Sequence, residues 1–139
     1  MGGDPDLSQG PFCNPYGPCE EWCSLFATWA WRYAGIPIPS YAFTGAIYYW
    51  AGGHGLLLPP TATPDPGDAV LYGTGPQTVS TSVHVGVVTQ VWPDGAIVTV
   101  DGNAGPGRNG WLSVDINGPY LPADSLSYNG TPIYAFARP

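Results

Sequence analysis

Between Glu20 and Ala34 the side chains of Trp22, Leu25, Phe26, Trp29, Ala30 and Tyr33 recur at intervals of three and four, the spacing of a helix with one buried face. Glu20 and Glu21 lead this stretch and Arg32 trails it, the sense a helix dipole favours. Gly35 supplies a left-handed stop and Pro37 forbids continuation, so a helix is predicted over 20–34. Tyr41 to Trp50 predicts a second, short aromatic helix that ends at Ala51-Gly52-Gly53. Leu56-Leu57-Leu58 is a brief apolar segment, and Pro59 to Pro64 is a proline-rich loop.

From Pro66 onward the period changes to that of strands. Pro66-Gly67-Asp68 reads as a turn feeding Ala69-Val70-Leu71-Tyr72. In Val83 to Val91, the valines at 83, 85 and 87 face one way and His84, Gly86 and Val88 the other. Pro93-Asp94-Gly95 is a hairpin turn into a strand over 96–101 that leads to Gly102-Asn103. Trp111 to Val114 and Ile133 to Ala137 complete an antiparallel sheet of about five or six strands. The whole is an α+β pattern, with residues 1–12 a polar lead-in and 13–139 one domain.

Composition narrows the partners. Lys+Arg number 3 against Asp+Glu 10, a net charge of -7, which leaves no basic stripe for phosphates. Nucleic acid is therefore not expected as a partner, nor is an anionic membrane surface. No apolar run has the length of a membrane span, and Met1 to Pro5 lacks the basic start and apolar centre of a signal peptide. Either export is arranged elsewhere or the chain is part of a longer protein. Tryptophan (6) and tyrosine (9) are frequent enough to line a groove as well as a core.

The candidate chemistry begins with Cys23 in the first turn of the predicted helix. Unpaired backbone N–H groups and the dipole stabilise a thiolate there; a small core residue or a disulfide half is the competing reading. Cys13 and Cys19 flank Asn14-Pro15 and Gly17-Pro18, and in an oxidising compartment they can close a short loop that contributes roughly 2 kcal/mol by chain entropy. That pairing leaves Cys23 as the odd thiol a cysteine enzyme requires. The three lack CxxC spacing, which argues against a metal site, and no cofactor is implied. His84, on a strand beside one that ends in Asp101-Gly102-Asn103, offers a base with two possible orienting groups.

Trp22-Cys23-Ser24-Leu25-Phe26, Pro66-Gly67-Asp68-Ala69-Val70-Leu71-Tyr72, His84-Val85-Gly86-Val87-Val88, Val100-Asp101-Gly102-Asn103 and the closing Ile133 to Pro139 occur in the order of a CHAP domain. The chain resembles this family of cysteine- and histidine-dependent amidohydrolases and peptidases, related to NlpC/P60 enzymes, over roughly Cys13 to Pro139. The resemblance implies a papain-like fold, helices packed on a central antiparallel sheet, and cleavage of amide bonds in peptidoglycan. Carried over by position, Cys23 is the nucleophile and His84 the general base, while Asp101 and Asn103 both match the acidic or amide positions that follow. Asn103 is held slightly ahead of Asp101 as the group that orients His84. Many members have glutamine directly before the nucleophile; Trp22 stands there in this chain, which leaves the second oxyanion donor unassigned.

Tyr16, Trp22 and Trp111 are candidates for substrate contact, with core packing the alternative for any one of them. His54 reads as a solvated loop residue and Asp68 as a structural turn acceptor. The leading expectation is a wall hydrolase, either an N-acetylmuramoyl-L-alanine amidase or a cross-bridge endopeptidase, extracellular, wall-located or phage-delivered, and monomeric. Two alternatives stand beside it: a catalytically silent wall-binding module, and a cysteine hydrolase or toxin domain acting on another amide. The acidic balance points to a separate wall-binding domain or tethering partner.

Overall fold

The computed structural model describes residues 23–78, 80–102, 114–122 and 131–139. Helix α1 is Cys23–Tyr33 and α2 is Thr44–Gly53; the strands are β1 Leu57–Leu58, β2 Ala69–Gly73, β3 Ser82–Val91, β4 Ile97–Gly102, β5 Val114–Tyr120 and β6 Ile133–Ala137. They form one antiparallel six-stranded sheet in the order β1-β6-β2-β3-β4-β5. This is the expected α+β arrangement, with both helices packed on the same face of the sheet.

Both helices stop by the same device. Beyond α1, the Gly35 N–H donates to the Arg32 carbonyl and the Ile36 N–H to that of Trp31, with Gly35 at φ 94°. Beyond α2, Gly55 (φ 69°) donates to Gly52 and Leu56 to Ala51. In each case a left-handed glycine satisfies the last carbonyls and turns an apolar residue, Ile36 or Leu56, back onto the core. The end of α1 agrees with the sequence. The start of the second helix does not: it is Thr44 and not Tyr41, because Phe43 is extended (φ -102°, ψ 124°), whereas its end at Gly53, before the stop at Gly55, is the expected one.

The buried face of α1 also differs from the periodic one. The first turn is buried on all sides, and Ala27 and Trp31 continue toward the sheet. Tyr33, expected inside, is 83% exposed; Trp29, half-buried, lies between it and Phe26 and packs with Leu25 and Phe26 toward Val100 and Val114. The reason is tertiary. The Trp31 indole N–H donates to the Gly67 carbonyl at 2.9 Å, which rotates the helix so that this tryptophan, and not Tyr33, faces the turn before β2.

The sheet separates two apolar clusters. On the helical side Ala27, Trp31, Ile47 and Ala51 meet Leu71, Val85, Ala135 and Ala137. On the other, Val70, Tyr72, Val88, Ile97 and Phe136 pack together under Ala62 of the proline-rich loop. Each fully buried branched or aromatic side chain contributes about 1.5–3 kcal/mol, so the two faces together hold β2 and β3 rigidly at the centre. The alternation predicted for β3 is kept: Val85 lies on the helical side and Val88 on the other. His84 pairs across the strands with Tyr72.

Two strand assignments need correction. Leu57–Leu58 is not only an apolar segment but an edge strand paired with Phe136 and Ala137. Among the described residues the fifth strand is Val114–Tyr120, which extends well past the expected end at Val114, while 111–113 lie outside the described residues. Its polar composition and Gly118-Pro119 hid it, and both suit an edge strand, where the missing proline donor faces no partner. Asp68, buried at the turn before β2, accepts from the Asp65 N–H and takes Nε and Nη2 of Arg138 on its carboxylate at 3.0–3.3 Å. The turn acceptor expected from Pro-Gly-Asp thus also ties β2 to the residue just after β6.

Candidate active site

Cys23 opens α1, and its sulfur lies where that helix meets the first residue of α2 and the start of β3. Three groups engage it: the His84 ring, the backbone of Val85 and the Thr44 hydroxyl, the last at 3.8 Å. On the far side of the imidazole, Nε2–H of His84 donates to Oδ2 of Asp101 at 2.7 Å, both side chains 2% exposed. That bond leaves Nδ1 for the sulfur. Sulfur, imidazole and carboxylate therefore form one line, with the ring tautomer set from behind by the carboxylate.

The strand register explains why the line forms. Residues His84 and Gly86 of β3 share a face with Thr99 and Asp101 of β4, following the pairing of Val88 with Thr99. Thr99 donates from Oγ1 to the second carboxylate oxygen of Asp101 at 2.6 Å. Gly86 leaves the space that the carboxylate fills: a Cβ there would stand 2.5 Å from Oδ2 and 2.8 Å from Cγ. Tyr72 of β2 covers the other side of the His84 ring at 5.5 Å between centroids. Its hydroxyl is hydrogen-bonded to that of Tyr120. Burial raises both phenols above their ordinary range, and the nearby Asp101 charge pushes the same way, so they stay neutral and act only as hydrogen-bonding walls.

Electrostatics favour an ion pair. Burial pushes the Cys23 thiol up, but the hydrogen bond and charge of His84, aided by Thr44 and Val85, outweigh it and hold the thiol below its ordinary range. Burial likewise pushes His84 down, and the bonds to Asp101 and Cys23 overcome it, leaving the imidazole raised to about 9. Between those two limits the stable form is thiolate with imidazolium, the reactive state of a cysteine nucleophile.

Of the residues singled out in the sequence, Cys23, His84 and Asp101 converge. Asn103, Tyr16, Trp22, Trp111, Cys13 and Cys19 lie outside the described residues. His54 stands apart, exposed at the end of α2, with its ring stacked on Trp50 and Nδ1 at 2.7 Å from the Trp50 carbonyl. Ser24, Thr44, Gly86, Thr99, Tyr72 and Tyr120 were missed. Thr99 had a signal, since a hydroxyl two residues before Asp101 on one strand must share its face; Thr44 had none, being 21 residues from Cys23 and met only through packing. Among the described residues no three His, Cys, Asp or Glu side chains cluster as metal ligands, and no helix is long and apolar enough to cross a membrane.

A helix-borne cysteine, a histidine on the adjoining strand and a carboxylate on the next make up the arrangement of the papain-like cysteine amidohydrolases and peptidases. This chain belongs to the CHAP domain family, whose profile matches residues 14–103, a span that contains Cys23, His84 and Asp101. CHAP domains are in general cysteine- and histidine-dependent amidohydrolases of peptidoglycan. Comparisons with curated proteins and with solved structures returned no match.

Proposed function

We propose that this protein is a peptidoglycan hydrolase that cuts an amide bond through a Cys23 thioester, either as an N-acetylmuramoyl-L-alanine amidase or as a cross-bridge endopeptidase. The observation that carries the reading is the buried line from the Cys23 sulfur through His84 to Asp101. The thiolate attacks the amide carbonyl carbon, and the Cys23 backbone N–H receives the developing oxyanion. The His84 imidazolium then gives its Nδ1 proton to the leaving amine, and the C–N bond breaks to leave an acyl-enzyme. Neutral His84 takes a proton from water, the hydroxide adds to the thioester, and loss of the thiolate frees the carboxylic acid. Asp101 keeps Nε2 protonated throughout and stabilises the imidazolium.

Such chemistry acts outside the cytoplasm, on the bacterial wall, in remodelling or in lysis by a phage. With a net charge of -7, the protein has little long-range attraction to an anionic wall, and a tethering partner or wall-binding domain supplies it.

The pH dependence follows from the ion pair. The rate constant kcat/KM on a soluble wall fragment is expected to trace a bell. As pH falls through the Cys23 limb, below the ordinary thiol range, the nucleophile is protonated and activity is lost; as pH rises past about 9, His84 loses the proton the leaving amine needs. A profile that keeps rising above pH 9 would contradict the assignment of His84.

The deciding experiment is mass spectrometry of the soluble products released from purified peptidoglycan by the wild type and by Cys23→Ala. Stem peptides freed from intact glycan identify an amidase, and opened cross-bridges an endopeptidase. Products from both proteins, or from neither, would overturn the proposal.

A further inference from the structure

Deepening the reading of Cys23 as nucleophile, and resting on it, we propose that Ser24 and Thr44 form a directed pair of hydroxyls: Thr44 donates a hydrogen bond to the Cys23 sulfur, and Ser24 sets the direction by donating to Thr44. The three atoms are in sequence. Ser24 Oγ stands 2.6 Å from Thr44 Oγ1, which stands 3.8 Å from Cys23 Sγ. Ser24 is fully buried and Thr44 4% exposed, so water does not compete for either hydroxyl.

The direction follows from the charge state. A thiol can donate its proton to Thr44 Oγ1, and the chain can then run the other way. A thiolate has no proton and only accepts, so Thr44 must be the donor to sulfur, and the short contact at 2.6 Å is then satisfied only if Ser24 donates to Thr44. Ionisation of Cys23 thus aligns both hydroxyls, and donation from Ser24 polarises the Thr44 O–H that faces the charge. A hydrogen bond to an ionised acceptor is worth more than one to a neutral acceptor, so the pair favours thiolate over thiol.

The backbone holds Thr44 to this position. It is the first residue of α2, after an extended Phe43 that places no side-chain cap on the helix. At the next residue, Gly45, even a Cβ would fall 2.3 Å from the Pro76 carbonyl and 2.4 Å from the Phe43 ring. That turn is wedged between its own aromatic neighbour and the loop before β3, and cannot slide away from Cys23. Among the described residues, the titratable groups facing the sulfur are His84 from β3, with Asp101 from β4 and Tyr72 from β2 behind it; α2 presents only the uncharged Thr44. The hydroxyl pair is therefore a second, charge-free support for the thiolate beside the imidazole.

The test reads the thiol directly and needs no substrate. Alkylation of Cys23 by iodoacetamide is followed across pH by mass spectrometry of the Cys23 peptide, which separates it from Cys13 and Cys19. Thr44→Val keeps the shape and removes the hydroxyl; the midpoint of its profile is expected to move up by about half to one pH unit, a roughly three- to tenfold slower reaction at pH values below the midpoint. Ser24→Ala is expected to move it the same way by less, and Thr44→Ser to restore the wild-type midpoint. An unmoved midpoint in a folded Thr44→Val, or an equal shift in Thr44→Val and Thr44→Ser, overturns the proposal. Should Thr44→Val fail to fold, Ser24→Ala decides alone: a shift supports the pair and none refutes it. Because the readout is alkylation, failure of the wall-hydrolase reading would appear separately, as missing peptidoglycan products beside an intact profile.

Discussion

Replacing His84 by alanine is expected to lower amide hydrolysis by roughly three orders of magnitude or more, since one side chain both supports the thiolate and protonates the leaving amine. The same change removes the partner of a carboxylate that is 2% exposed, and breaking a buried pair from one side costs about 3–5 kcal/mol. Alanine therefore mixes two losses. His84→Gln separates them, because an amide N–H can still donate toward Asp101 while neither holding nor transferring a proton. In His84→Gln the melting temperature should stay closer to that of the wild type than in His84→Ala, with activity as low in both. The measurements are kcat/KM on a soluble wall fragment and thermal unfolding followed by circular dichroism. Wild-type activity in a folded His84→Gln would remove His84 from the reaction.

Gly86→Ala should produce the second largest loss. The added methyl would stand 2.5 Å from Oδ2 of Asp101 and 2.8 Å from Oδ1 and Cγ. A flexible neighbour would swing away, but this carboxylate is buried and held by His84 at 2.7 Å and Thr99 at 2.6 Å. Overpacking of this kind costs about 1–3 kcal/mol, and the relaxation open to it is to push Asp101 off the imidazole. A drop in kcat by about one to two orders of magnitude is expected, with KM nearly unchanged because Asp101 acts through His84 and not on substrate. Gly53→Ala is the matched control. Nothing lies within 4 Å of its added Cβ, and alanine in a helix is favoured over glycine. If Gly86→Ala and Gly53→Ala have equal kcat, the close approach of carboxylate and strand has no part in the reaction.

The two substitutions differ in how visible their targets were. His84 stood out as a titratable residue on an otherwise branched and apolar strand, and Asp101 as a carboxylate at the end of the next one. Gly86 looked like any small residue in an alternating pattern, because its purpose is the room it leaves for a residue on another strand. Which of Asp101 and Asn103 contacts the imidazole stayed open for the same reason. The pairing of Val88 with Thr99 brings the Asp101 side chain onto the face of His84, where it bonds the ring, and Asn103 lies outside the described residues. The rotation of α1 was hidden too: the periodic stripe includes Trp29 and Tyr33 and passes over Trp31, and the Gly67 carbonyl that selects Trp31 lies 36 residues away.

What the sequence determined by itself was local. The helix stop at Gly35, the Pro-Gly-Asp turn, the strand alternation around His84 and the turn at Asp94-Gly95 follow from backbone preference and period, which act over a few residues, and the order of cysteine, histidine and carboxylate is what carries the resemblance to the CHAP family. What the tertiary structure alone decided was contact between distant segments: the sulfur against Thr44, Thr99 behind Asp101, Tyr72 over the His84 ring, and Arg138 on Asp68. Those depend on strand register and on the angle at which helices meet the sheet. They are set by packing two apolar faces at once, a condition that no single stretch of the chain contains.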